Sequence, residues 1–222
     1  MIRTLIAAAL LGFSLIFFSP AFASLNDKVI QIGERATVEL MKNLKSRLIA
    51  ALEEGDPATA ISVCANVAQD LTHKLARQIG PGIKIKRTSF KWRNPADAPD
   101  KYEKEVLDLL EWIYKGKKIL LPFYIQEVTE NGQPYFRYYK PILVREECLL
   151  CHGDPREMPE EIVETLKKLY PEDKATGYKP GDFRGVIRVS IPKKLIETLV
   201  NQEGNKPDED DGCIPPQLPG RD

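Results

Sequence analysis

Cys148-Leu149-Leu150-Cys151-His152 constrains this chain more than any other stretch. Two cysteines three apart, followed at once by histidine, form the attachment signature of a c-type haem. One turn of backbone sets the two sulfurs at the separation of the porphyrin vinyl groups, and each thiol adds across one of them. His152 then lies under the iron and can ligate it from the proximal side. With 4 Cys and 2 His among 222 residues, chance yields this pattern roughly once in fifteen hundred such chains.

Three other readings compete. A redox dithiol motif opens a helix after a buried strand, and Ile142-Leu143-Val144 does read as a strand, but that chemistry does not require the histidine. A zinc site needs a fourth ligand, with Cys64, Cys213 and His73 as the remaining candidates. The third is a coincidental disulfide pair.

The N-terminus bears on the choice. Arg3, the apolar run Leu5 to Phe18, and the small-x-small site Ala21-Phe22-Ala23 read as a secretory signal peptide over residues 1–23. The run is short for a bilayer span, so membrane contact is expected only through an uncleaved signal. Export to a periplasm or equivalent compartment agrees with covalent haem, which is assembled on the exported side. Residues 24–200 then form one domain of ordinary size. Lysine plus arginine equals aspartate plus glutamate, 32 each, so no nucleic-acid partner is expected.

Apolar positions at Val29, Ile32, Ala36, Met41, Leu44, Leu48 and Leu52 predict one long helix over 25–53, or two joined near Gly33. Asp56-Pro57 starts a second helix, about 58–79, with Ile61, Cys64, Ala65, Ala68, Leu71, Leu75 and Ile79 on one stripe. Ile83 and Ile85 alternate with lysines and predict a strand with one wet face. Pro99–Tyr114 reads as a helix with Tyr102, Val106, Leu109, Leu110 and Ile113 inward. Residues 119–128 and 134–144 are strand-like around Asn131-Gly132, a type I′ hairpin signal, with a loop somewhat longer than two residues. A helix over 159–170, a glycine-containing loop over 171–183, a strand over 186–191 and a short helix near 193–200 follow. Residues 201–222 read as a disordered tail. The class is α+β.

A six-coordinate haem needs a second ligand. His73 comes nine residues after Cys64, about 900° around the helix, and falls off the apolar stripe beside Lys74, so it reads as a solvated surface residue. Met158 follows His152 too closely to reach the other haem face, and Met41 sits on an apolar stripe and reads as core. Cys64 lies on the inward face, with Ala65 and Ala68 leaving room for a flat ring. It also fits a small buried hydrophobe or a disulfide with Cys213.

Several separated blocks carry a resemblance: Ala60-Ile61-Ser62-Val63-Cys64; Arg87 to Pro95 with Pro99-Asp100; Cys148 to Gly153; Asp173 to Tyr178; and Gly181 to Gly185. Together they resemble an exported haem c family with a PAS-like fold, a domain of unknown function related to sensor domains of histidine kinases and chemoreceptors. The resemblance spans about 27 to 200. It implies a PAS-like antiparallel sheet with a long N-terminal helix, one haem attached through Cys148 and Cys151, His152 as proximal ligand and Cys64 as distal thiolate.

An anionic sulfur ligand favours ferric iron and a low reduction potential. Loss of the thiolate on reduction would open a site for CO or NO. The basic block Arg87, Lys91 and Arg93 is suited to haem propionates. The function expected is a redox or gas sensor, or a small electron-transfer protein, working with a separate redox or signalling partner. The alternative is a haem enzyme of peroxidase or nitrogen-oxide chemistry, which needs an open distal site with a placed acid or base.

Overall fold

The computed structural model describes residues 20–54 and 57–204. Within that span the side chains of residues 20–24, 54, 57–59, 62–64, 66 and 204 are outside the description. The expected signal segment up to residue 19, Gly55-Asp56, and the tail from residue 205 with Cys213 therefore lie outside the described residues.

Tyr138 and Tyr139 are neighbours on one strand and both are fully buried. Successive strand side chains point to opposite faces, so the sheet is covered on both. Its four antiparallel strands are β1 (Lys84–Thr88), β2 (Tyr124–Glu130), β3 (Gln133–Leu143) and β4 (Phe183–Pro192), in the order β1-β4-β3-β2. The helices are α1 (Pro20–Glu54), α2 (Pro57–Ile79), α3 (Lys101–Lys117), α4 (Leu149–His152), α5 (Glu160–Leu169) and α6 (Lys193–Gly204). This is the expected α+β class. No described helix is long and apolar enough to cross a membrane.

One face carries the larger core. Val29, Ala36 and Leu40 of α1, Leu75 and Ala76 of α2 and Ile196 of α6 pack on Ile85, Phe136, Tyr138, Ile187, Val189 and Ile191. Fully burying side chains of this kind stabilises the fold by about 1.5–3 kcal/mol each. α1 runs unbroken through Gly33, and a Cβ there would lie 2.2 Å from the Tyr138 ring. The missing side chain lets the helix close on the sheet. Met41, expected in the core, is 43% exposed. It lies on the side of α1 turned from the sheet, so the apolar stripe of that helix is narrower than its sequence suggests.

The other face carries α3. Asp100 accepts from the Glu103 amide at 2.8 Å and Glu103 accepts from the Asp100 amide at 2.8 Å, a closed capping box. Val106, Leu107 and Leu110 point inward on Tyr139, Phe183 and Val186. Leu109, expected inward, is 37% exposed, because the buried pair Val106–Leu110 puts Leu107 rather than Leu109 on the sheet side. The wet face expected for β1 is also partly covered. Lys86 reaches under α3 to the Ala98 carbonyl at 2.6 Å and to Glu103, whose side chain is fully buried, at 2.8 Å.

The β2–β3 turn has two residues, since Glu130 pairs with Gln133, and is tighter than expected. Asn131 and Gly132 have φ of 50° and 78°, as a type I′ turn requires. Residues 201–204, expected in the tail, complete α6.

Candidate functional site

α4 is a single turn placed just past the end of β3. The Val144 amide donates to the Asp182 carbonyl at 2.9 Å and the Gly181 amide donates back to the Val144 carbonyl at 2.8 Å, so the exit from β3 is tied to the loop before β4. Gly153 ends the turn. Its amide donates to the Leu149 carbonyl at 2.9 Å, and a Cβ there would stand 2.7 Å from that oxygen. The loop over 173–178 then zips onto the motif, with the Gly177 amide on the Gly153 carbonyl at 2.6 Å and the Tyr178 amide on the His152 carbonyl at 3.0 Å.

Cys148 and Cys151 are both half-buried. Cys148 belongs to a cluster with Val144, Ala175 and Tyr178. Cys151 belongs to a second, with Ile61 of α2 and Ile162 and Leu166 of α5. The motif is thus wedged between the sheet end and the α2–α5 pair.

His152 is oriented from behind. Its Nδ1 lies 2.6 Å from the Ala175 carbonyl. A carbonyl only accepts, so Nδ1 carries the proton and Nε2 is the ring atom left with a lone pair. Tyr178 stands edge-on to the imidazole at 6.3 Å. Burial, together with the charges of Arg93 and Arg184, holds the imidazole well below its ordinary pKa, outweighing the Ala175 bond. The ring is therefore neutral at neutral pH, the form a metal ligand needs.

Arg93 is a clasp. Its Nε donates to Asp173 at 3.0 Å, and its Nη2 donates to the Cys151 carbonyl at 2.5 Å and to the Ala175 carbonyl at 3.4 Å. Asp173 accepts from the Ala175 amide at 2.7 Å as well. One ion pair thus sets both the motif and the carbonyl that orients His152. Arg87 stands close enough to act electrostatically on His152, Asp97 and Arg184. It closes no salt bridge among the described residues.

Sequence reasoning assigned no part to Asp173, Ala175, Tyr178 or Arg184. Asp173 had a legible signal, because an aspartate two residues before an amide it can cap is an Asx-turn pattern. A backbone carbonyl such as that of Ala175 leaves no such trace.

The second-ligand candidates separate. His73 is exposed, as its position off the stripe implied. Met158 lies in the Cys151 cluster, on the same side as the motif. Cys64 is on α2, one turn past the buried Ile61 that shares this cluster; its side chain is outside the description. Among the described residues, no three of His, Cys, Asp and Glu converge to hold a metal ion.

Fold and site together define a class: an α+β domain in which a one-turn Cys-x-x-Cys-His segment is clamped, with its histidine half-buried, at the end of an antiparallel sheet. The Tll0287-like family model matches residues 23–192, and the chain belongs to that family. A solved structure described as that of the cyanobacterial heme-protein Tll0287 matches with a TM-score of 0.52 at 24% identity, covering 70% of this chain and 92% of that one. This likeness is one of fold. No functionally curated protein matches the chain.

Proposed function

We propose that this protein is an exported c-type haem protein with one haem held through Cys148 and Cys151. His152 and Cys64 ligate the iron, and the protein acts as a redox or gas sensor or as a small electron carrier. The observation that carries this reading is His152 itself: half-buried, neutral, its Nδ1 fixed on the Ala175 carbonyl so that Nε2 keeps the lone pair, one residue after the second cysteine. Family membership supports it, since the matching relative is described as a heme-protein. The sheet with its long N-terminal helix is read as PAS-like. When bound, the haem would supply a one-electron couple and, once reduced, a position for CO or NO.

The chain's own residues set the rest. The Ala175 carbonyl strengthens the histidine as a donor by drawing on its Nδ1 proton. A Cys64 thiolate would favour the oxidised form of the iron. Arg87 and Arg93 supply positive charge toward the porphyrin carboxylates, Arg93 from within its clasp. His73, the one histidine outside the motif, is exposed, so sensing or electron delivery fits better than catalysis.

The test is electron-paramagnetic and optical spectroscopy of wild type and Cys64→Ala, with CO added after reduction. Wild type should give a low-spin ferric thiolate signal that the variant lacks, and its Soret band should move with CO. A thiolate signal persisting in Cys64→Ala would refute the ligand set.

A further inference from the structure

We infer that Arg184 binds a carboxylate of the porphyrin, and that a β-bulge exists to aim it there. The inference rests on the haem reading above. In the β3–β4 ladder Ile142 pairs with Gly185 and Leu143 with Phe183, so Arg184 is the extra, unpaired residue. A bulge of this kind turns a side chain out of the alternation of its strand. Here it sends the guanidinium to the His152 end of the sheet. Arg184 donates to the Lys91 carbonyl at 3.1 Å and to the Tyr178 hydroxyl at 3.5 Å, and lies over the Tyr178 ring at 5.3 Å. Tyr178 is the ring that stands edge-on to His152.

The backbone is committed to this arrangement. Gly185 has φ of 138°, and a Cβ there would stand 2.3 Å from the Thr88 carbonyl of β1. Only glycine fits, so the distortion is built into the sheet.

Charge gives the ligand its class. Arg87, Lys91, Arg93 and Arg184 gather near the imidazole, with Asp97 and Asp173 as the carboxylates among them. Cations outnumber these carboxylates, and a haem carries carboxylates of its own. Of the four cations, only Arg93 closes a salt bridge among the described residues. Arg184 has carbonyl and hydroxyl acceptors but no carboxylate, although guanidinium is suited to bidentate carboxylate binding.

Resonance Raman spectroscopy of the haem-loaded protein tests this through the bending mode of the porphyrin carboxylates, alongside the midpoint potential. Wild type must first carry haem; a colourless wild type defeats the haem reading rather than this one. In Arg184→Gln the bending mode should shift, and the ferrous-to-ferric ratio at fixed potential should fall about tenfold as a nearby cation is lost. Arg184→Lys should restore most of the ratio and part of the mode. An unshifted mode in a folded, red Arg184→Gln, or in Arg184→Lys where Arg184→Gln does not fold, overturns the assignment and leaves Arg184 a structural bond to Lys91 and Tyr178.

Discussion

Arg184 and Arg188 lie four residues apart on the same strand and are treated in opposite ways. Arg188 donates to Glu103 at 3.0 Å and to Ser190 at 2.8 Å. It belongs to a network under α3 in which Lys86, Arg137 and Arg188 are matched by Glu103, Asp100 and Glu130 through contacts of 2.8–3.0 Å. No described side-chain donor or acceptor that is buried lacks a partner. Arg184 sits in a cluster with a cationic excess. The first region is completed by the chain itself and holds the fold. The second is left open on its charge, and open charge at the end of a sheet beside a neutral histidine is what a binding site requires.

Four changes probe the contrast. The largest effect is expected from Cys148→Ser combined with Cys151→Ser. Haem colour should vanish from the polypeptide band on a denaturing gel, while the circular dichroism of the sheet persists. Colour surviving denaturation would place the attachment elsewhere. Next, Glu103→Gln leaves Lys86 and Arg188 without their buried carboxylate, and chemical denaturation should report a loss of about 3–5 kcal/mol. The visible spectrum of the haem-loaded protein should not change, and a changed spectrum would mean the two regions are coupled.

Gly185→Ala should then cost about 1–3 kcal/mol through overpacking against β1, read by thermal unfolding. Because it disturbs the bulge, it should also move the haem spectrum, unlike Glu103→Gln. The smallest effect is on acid stability. Burial pushes the Asp100 carboxyl up, but its bonds from Arg137 and the Glu103 amide outweigh this and hold it below its ordinary 3.8. Glu130 is held below 4.5 in the same way, with Lys84 and Arg137 overcoming burial. For both, the unfolded chain binds more protons as pH falls, so their contribution is present above the ordinary carboxylate range and is lost below it. The double variant Asp100→Asn, Glu130→Gln should lose stability at neutral pH and show a flatter decline below about pH 4, measured by denaturation across pH.

Much of the fold was legible because it rests on local signals. Asn131-Gly132 demands its turn, and the stripe from Ile61 to Ile79 demands α2. Burial was less so. Leu109 and Met41 sit at apolar spacings but face outward, since periodicity gives a stripe and not the width of the neighbour that covers it. Lys86 read as wet because its partner Glu103 is 17 residues away in sequence.

The site divides along the same line. Cys148, Cys151 and His152 form a contiguous motif, and Arg87 and Arg93 a basic block close to it in space. The clasp between Arg93 and Asp173 joins residues 80 apart. The bulge at Arg184 depends on how two distant strands pair, and the sequence reads Phe183 as the end of a loop and starts the strand only at Val186, three residues after β4 begins.

The account stands on a porphyrin covalently joined to Cys148 and Cys151. Intact-mass spectrometry of the protein, denatured after production in a host that matures c-type cytochromes, measures this directly. It should find the polypeptide heavier by about 616 Da, the mass of one haem. The bare polypeptide mass, in a preparation where a control cytochrome carries its haem, would contradict it.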